Sequence, residues 1–447
     1  MTQPAPTAQP HLRRVLGVPS LVLFGLVYMV PLTVFTTYGL VTETTGGRVP
    51  LAYLVTLSVM LFTARSYARM AAAHPSAGSA YVYAQRSFGP EIGFMAGWSL
   101  MLDYLFLPMI NYLVIGIYLN AAVPALPEWL VVLVAIAVVT ALNLVGIVSI
   151  NRANTAIIAV QTVFLLAFLG FGLASFSGGA DPIAPFRGDG SVPELFLPVM
   201  AGAAVLCLSF LGFDAVSTLA EEAREPRRTV PRAIMTVTLA AGIVFIALSW
   251  LSQAAYPATS FQDVDAAAVE VMAHIGGQFL AAFFTAAYLA GAFGSALTSQ
   301  ASAARILYAM GRDGVLPSRV FGRLHERFRS PWTATLAVSA VSLIALFADL
   351  GTVVSMVSFG ALIAFSFVNL AVVKHYWVDV GERGIAGALR NLLLPGIGFA
   401  LTVWLWTSLS GTTFLIGLGW MALGFVLLLI VTRGFRRRAP MLELQEE

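Results

Sequence analysis

An all-α polytopic membrane protein is the fold class this sequence predicts, and three observations predict it. Of the 447 residues, 59% are hydrophobic and only 11% charged, whereas soluble domains run near 45–50% apolar and about 25% charged. Apolar stretches of membrane-spanning length recur along the chain, separated by breaks that carry charge, proline or glycine. The cationic residues crowd into alternate breaks, which is the pattern that membrane insertion imposes. At about 20 residues per span, with allowance for tilted or broken helices, twelve spans use roughly 260 residues and leave about 15 per connection. No soluble domain fits in the remainder.

The twelve spans fall near 16–43, 50–72, 89–121, 129–149, 152–176, 192–220, 230–255, 279–310, 331–349, 352–377, 388–408 and 411–433. The first apolar run, from about Val15 to Val41, is too long for a signal h-region and lacks a cleavage pattern, so it is expected to stay in the protein. It contains Gly25, then Tyr28-Met29-Val30-Pro31, then Thr33, Thr36, Thr37 and Gly39. Pro31 removes a backbone donor at membrane mid-depth with hydroxyls nearby, so the helix is expected to kink or unwind there. Span three places Asp103 beside Tyr104 and Phe106, followed by Pro108, Asn111 and Tyr112. Span six reads Leu208-Ser209-Phe210-Leu211-Gly212-Phe213-Asp214, putting a glycine and an aspartate inside an otherwise apolar segment. Paired irregularities in corresponding spans of two halves are the sequence pointer to a transporter site.

Charge sets the expected orientation. Of 25 cationic residues, only Arg48 and Arg187 fall on odd-to-even connections; the others lie at the termini, at span ends or on even-to-odd connections. Both termini are therefore expected in the cytoplasm. Clusters such as Arg224, Arg227, Arg228 and Arg232, or Arg319, Arg323, Arg327 and Arg329, flank spans and read as topological signals, with no nucleic-acid partner implied. The opposite connections carry Glu43, Glu128, Asp181, Asp189, Glu194, Asp263, Asp265, Glu270 and Asp349. An acidic mouth of this kind concentrates cations, subject to screening by salt.

Several functions are excluded. Lys374 is the only lysine in the chain, so no Walker A loop exists and transport driven by an ATPase on this chain is ruled out. Cys207 is the single cysteine, which precludes an intrachain disulfide and suggests core packing. His11, His74, His274, His325 and His375 lie in or beside expected loops without metal-ligand spacing, and are read as solvated. Neither a metal nor a cofactor is expected, and a membrane-embedded enzyme lacks a nucleophile with its base. A channel lacks a selectivity-filter repeat and a pore-lining helix of one charge.

Asp103 and Asp214 have no lysine or arginine at similar depth. Buried carboxylates without a cationic partner either stay protonated through desolvation or hold a bound cation. Aromatic faces beside Asp103 can hold an ammonium. The competing reading is a neutral carboxyl that only packs helices.

Residues 25–35 (Gly-Leu-Val-Tyr-Met-Val-Pro-Leu-Thr-Val-Phe), 77–85 (Ala-Gly-Ser-Ala-Tyr-Val-Tyr-Ala-Gln) and 97–111 (Gly-Trp-Ser-Leu-Met-Leu-Asp-Tyr-Leu-Phe-Leu-Pro-Met-Ile-Asn) strongly resemble bacterial putrescine importers of the amino acid, polyamine and organocation transporter superfamily. The resemblance continues through 209–222, 307–317 and 359–370 and covers nearly the whole chain. The segments around Phe213-Asp214 and Gly311-Arg312-Asp313-Gly314 are similar to motifs of the wider superfamily, while Asp103 to Asn111 is the narrower signal. The resemblance implies a LeuT-type fold of two inverted five-helix repeats, with substrate held between broken helices one and six.

The expected divisions are then a tail (1–14), a first repeat (15–176), a second repeat (177–378), two further helices (379–433) and a second tail (434–447). The expected substrate-binding residues are Tyr28, Met29, Val30, Pro31, Thr33, Asp103, Tyr104, Asn111, Ser209, Phe210 and Gly212, with Asp214 coupling or gating a proton. Amino-acid members of the superfamily have a glycine-rich break in helix one whose amides receive a carboxylate; here Tyr28-Met29-Val30-Pro31 replaces it, as suits a substrate without one. Thr36 stands where the resembling importers carry an aspartate, and span five lacks the buried lysine of some proton-coupled relatives. The implied function is secondary active, proton-coupled import of a small organic cation, putrescine or a related polyamine, across the inner (plasma) membrane. The alternative is an amino acid permease or an amine/amino acid exchanger.

Overall fold

The structure, a computed structural model, describes residues 16–75, 79–145, 150–175, 183–187, 192–312, 316–325, 330–437 and 439. The tail at 1–14, most of the tail beyond 437, His11, Asp181, Asp189, Arg327 and Arg329 lie outside the described residues. Among the described residues, eleven helices are long and apolar enough to cross a membrane, and the shorter apolar helix Trp332–Leu346 stands where span nine is expected. The chain is thus an all-α multi-pass membrane protein.

Both expected irregularities are present. Helix α1 (Val18–Met29) stops where Pro31 cannot continue the hydrogen-bond ladder. Val30 sits at φ 49°, a costly conformation for a β-branched residue, before a 3₁₀ turn at Pro31–Phe35 and then α2 (Tyr38–Thr45). Next come α3 (Val49–Ala73), α4 (Ser79–Phe88), α5 (Pro90–Ala122), α6 (Glu128–Val145) and α7 (Ile150–Ser175). Span six divides into α8 (Val192–Leu206), a 3₁₀ turn (Cys207–Phe210), an irregular stretch through Asp214, and a 3₁₀ helix (Ala215–Glu222). Within that stretch Gly212 has φ 130° and lies against helix one; a Cβ there would come within 2.8 Å of the Tyr28 ring. Glycine alone satisfies both constraints.

The second half contains α9 (Pro226–Ala255), α10 (Ala267–Arg312), α11 (Ser318–Phe321) and α12 (Trp332–Ser342), which a 3₁₀ turn extends to Leu346. Helix α10 is two helices joined at Gly276–Gly277, so only its second part matches the span expected from residue 279, and the first part is a helix the hydropathy pattern did not register. Helix α13 (Leu350–Val372) widens into a π-helix to Asp379; α14 (Ile385–Gly387), a second π-helical segment (Ala388–Leu393), α15 (Leu394–Thr407) and α16 (Gly411–Val431) complete the chain. A parallel bridge joins Leu16 to Ala223, with Leu16 N–H donating to Glu222 O at 3.0 Å and Arg224 N–H to Leu16 O at 2.8 Å. The starting end of broken span one is thereby tied to the finishing end of broken span six.

Burial places α5 at the centre: 83% of its most apolar window is buried, against 17% for α16. Helix α16 is pinned to α5 by stacked Trp98 and Trp420, centroids 4.8 Å apart, each indole N–H donating to the other residue's carbonyl at 2.9 and 3.0 Å. A buried amide network fastens α6, α10 and α12: Gln300 donates to Ser339 Oγ (2.8 Å) and Thr140 Oγ1 (3.2 Å), and Asn143 donates to Gln300 Oε1 (2.6 Å). Without a hydrophobic drive between helices in lipid, such polar ties and close packing hold the bundle.

Of two further expectations, one is met and the other is refined. Cys207 is fully buried and its thiol donates to Ala203 O at 3.4 Å, as core packing requires. The histidines, however, are not simply solvated: His74 and His375 pack ring against ring at 5.0 Å, and His274 lies on Tyr256 at 4.5 Å. The tertiary fold brings these rings together from different elements.

Candidate functional site

Breaks in spans one and six face each other across a small pocket. Its walls are Tyr28, Met29, Val30, Thr33 and Thr36 from span one, Leu208 and Leu211 from span six, Leu107, Ile110, Asn111 and Val114 from α5, and Tyr288, Ala292 and Ser295 from α10. The α5 members recur at three- and four-residue spacing and so share one helix face, as do the three from α10. The free space enclosed is about 30 Å³, room for little more than a water. The pocket is closed around its centre, and a ligand with several carbons requires the walls to part.

Its polar groups are few and mutually engaged. Thr36 and Tyr288 share a short hydroxyl–hydroxyl hydrogen bond. Asn111 Nδ2 donates to Ser295 Oγ and to Leu107 O, both at 3.0 Å. Thr33 Oγ1 caps the end of α1 by donating to Met29 O (2.9 Å) and Val30 O (2.7 Å). The remaining walls are aliphatic or aromatic.

Five expected binding residues therefore line the pocket: Tyr28, Met29, Val30, Thr33 and Asn111. The others lie elsewhere. Pro31 opens the 3₁₀ turn that follows the break. Ser209 turns toward α3, where it shares a 2.9 Å hydrogen bond with the Tyr53 hydroxyl, and Phe210 packs on Phe245 at 5.3 Å. Gly212 sits behind Tyr28, and its N–H donates to Asp214 Oδ1 at 3.1 Å. Asp103 and Tyr104 precede the pocket face of α5 by about one turn: Asp103 and Leu107 are four residues apart, about 6 Å along the axis.

Asp103, Tyr104, Tyr28 and Asp214 form a second group within electrostatic reach of one another. Both carboxylates are 2% exposed. Asp103 Oδ1 has no hydrogen-bond partner, and none of the ion pairs among the described residues involves either aspartate. Tyr67 adjoins this group, packed edge-on against Phe213 (5.4 Å) and Phe365 (5.7 Å). In the pocket wall, Tyr288 packs edge-on against Tyr118 (4.8 Å), and Phe284 packs against Phe35 (5.3 Å).

Residues missed from the sequence are Leu107, Ile110, Val114, Leu208, Leu211, Tyr288, Ala292 and Ser295, and Thr36, noted there only as the residue replacing an aspartate, joins them. The α5 positions were recoverable from helical spacing around Asn111. Nothing local marks the α10 stripe, because an apolar helix offers several equivalent faces and only packing selects one.

The sequence profile described as "Amino acid permease" matches residues 20–423. The chain belongs to that family. It is a transporter rather than an enzyme. It is 40% identical to the low-affinity putrescine importer PlaP of Escherichia coli (strain K12), over 98% of both chains. It is 25% identical to the branched-chain amino acid permease BcaP of Bacillus subtilis (strain 168), over 96% of this chain and 95% of that one. Identity to the methylthioribose transporter of Bacillus subtilis (strain 168) is likewise 25%, over 97% and 96%.

Proposed function

We propose that this permease imports a small organic cation, putrescine or a related polyamine, across the inner (plasma) membrane by alternating access, coupled to protons, with both termini in the cytoplasm. The observation that carries the proposal is the pair of buried carboxylates, Asp103 and Asp214, beneath a largely apolar pocket with no basic residue paired to either. A desolvated carboxylate without a counter-ion is stabilised by an ammonium or by a proton. The 40% identity to an importer of putrescine, along nearly the whole of both chains, supports the same substrate class.

The backbone at the two breaks argues against a carboxylate as the main anchor. Pro31 has no N–H, Val30 N–H donates to Val27 O (3.3 Å), Thr33 N–H to Val30 O (2.8 Å), and Gly212 N–H to Asp214 Oδ1. An anion would find these donors occupied. A polymethylene chain suits Leu107, Ile110, Val114, Leu208 and Leu211, with one ammonium drawn past Leu107 toward Asp103 and the Tyr28 and Tyr104 rings. Asp214, bonded to the backbone of its own break, is the proposed proton carrier: protonation weakens its hold on Gly212 N–H and links charge to the shape of span six.

The acidic loops form the proposed outer mouth. Glu128, Asp263, Asp265 and Asp349 come from three different connections, yet Asp265 lies within electrostatic reach of each of the other three. Such a cluster raises the local concentration of a cation before it enters.

The deciding experiment is uptake of labelled putrescine into proteoliposomes with an imposed pH gradient, with unlabelled diamines, polyamines, monoamines, arginine, leucine and serine as competitors. Amines are expected to compete best, and counterflow is expected to saturate as a carrier requires. Strong competition by leucine or serine with none from millimolar putrescine would overturn the substrate assignment in favour of an amino acid permease.

A further inference from the structure

Three arginines converge on the face of the bundle opposite the acidic loops. Arg65 and Arg69 lie one turn apart near the end of α3, and Arg390 lies in the π-helical segment leading into α15. The Arg65 guanidinium is within electrostatic reach of the other two. Arg69 is engaged along one edge: its Nη2 donates to Asn391 Oδ1 at 2.7 Å and stands 3.6 Å from Glu382 Oε2, and its guanidinium lies 3.9 Å over the Tyr376 ring, while its Nε is buried without a hydrogen bond. Asn391 Nδ2 also donates to Glu382 Oε2 at 2.9 Å, so the carboxylate beside Arg69 is already shared.

Arg65 and Arg390 have no such partner among the described residues. The Nε of Arg65 is buried without a hydrogen bond although its side chain is only partly covered. Arginine enrichment on this face of a membrane protein explains why arginines occur here. It does not explain a buried, unpartnered guanidinium N–H next to two like charges, an arrangement that is unfavourable until an anion joins it.

The surroundings say which anion. Arg65 lies eight residues before the end of α3, about 12 Å along the axis, at the level where a helix leaves the hydrocarbon for the headgroups. Beside Arg390, Ile385, Leu389 and Leu393 are 94%, 50% and 54% exposed, an apolar strip leading away from the guanidinium groups. Positive charge at the head of an outward apolar strip matches a phosphate joined to acyl chains. Arginine's planar fork suits the two free oxygens of a phosphodiester.

We infer that Arg65, Arg390 and the outer edge of Arg69 bind the headgroup phosphate of an anionic phospholipid, whose acyl chains lie along Ile385, Leu389 and Leu393. The lipid bridges α3 to the start of α15. Its binding is independent of which substrate the pocket takes.

Full-length protein in detergent is examined by native mass spectrometry and thermal unfolding with phosphatidylglycerol, with phosphatidylcholine of the same chains, or with inorganic phosphate. Phosphatidylglycerol is expected to be retained and to raise Tm. Retention should fall roughly tenfold in R65Q/R390Q, as loss of charge-assisted contacts implies. R319Q/R323Q removes the same charge from another part of that face and should bind phosphatidylglycerol as wild type does. If R65Q/R390Q fails to fold, R390Q alone, at an exposed position, reads the same loss. Equal retention of the two lipids, unchanged retention in the arginine variants, an equal loss in R319Q/R323Q, or equal protection by inorganic phosphate would each overturn the assignment.

Discussion

Asp103 and Asp214 have the same chemistry and burial but different surroundings, and their variants should separate. Asp103 Oδ1 is unpartnered, so Asp103→Asn removes the proposed counter-charge and is expected to weaken amine binding by ~2–5 kcal/mol, as for a truncated desolvated charge pair. Tyr104→Ala should cost about 1–2 kcal/mol through lost ring contact with the cation. Asp214 holds the Gly212 amide, and Asp214→Asn is expected to spare equilibrium binding and amine exchange while abolishing pH-driven accumulation. Equilibrium binding and gradient-driven uptake, measured side by side on each variant, check these outcomes; wild-type affinity in Asp103→Asn with unchanged pH dependence in Asp214→Asn would return both residues to helix packing. Gly212→Ala should leave the protein inserted but inactive, because φ 130° and the 2.8 Å approach to Tyr28 leave no place for a Cβ. At this scale the residue types were legible: an intramembrane aspartate stands out by its cost wherever it sits. Whether its side chain reaches the pocket was not legible, as Ser209 and Phe210 show by facing α3 and α9 instead.

Among the elements, the two broken spans were readable because the cause of each break is local. Pro31 lacks a donor, and Gly212 with Asp214 interrupts an apolar run. Helix α4 was missed for the converse reason: ten residues give no span-length hydropathy signal, although most of them are buried. The α6–α10–α12 network suggests a stability test. Gln300→Leu leaves Asn143, Thr140 and Ser339 without their shared partner and should lower stability in detergent by about 1 kcal/mol or somewhat more. A Tm equal to wild type would show that the hydroxyls and Asn143 re-pair without it. Helix α10 also carries Ser295 into the pocket, so the same variant should loosen Ser295 and with it the Asn111 contact.

For the whole molecule, the division between arginine-rich and acidic faces carries two predictions. Cysteine placed at Arg437 should be labelled only from the cytoplasm and cysteine at Asp263 only from outside; the reverse pattern would invert the assigned orientation. At the mouth, burial first, then Asp263 and Asp349, push the Asp265 carboxyl above the ordinary aspartate range. A raised carboxyl takes up its proton at a higher pH than an ordinary aspartate, so the negative field starts to fade earlier as the medium is acidified. The apparent KM for a cation should accordingly rise as external pH is lowered, beginning at a higher pH than for an isolated aspartate. Asp265→Asn should raise KM at neutral pH and flatten that rise. Exchange assays without a proton gradient isolate this effect from coupling, and added salt should diminish it.

By itself the sequence determined that the chain crosses a membrane many times, where two of its helices break, and that two carboxylates lie within the apolar depth. Each of these follows from hydropathy, backbone donors and charge cost, which are properties of a residue and its near neighbours. Tertiary structure alone decided that Tyr288, Ala292 and Ser295 of α10 complete the pocket, that His74 meets His375, and that Arg390 joins Arg65 from the far side of the chain. Helices that are apolar on every side carry no periodic mark of the face they will bury. Where two of them cross is settled by packing between distant segments, which is why the pocket's walls emerged only with the fold.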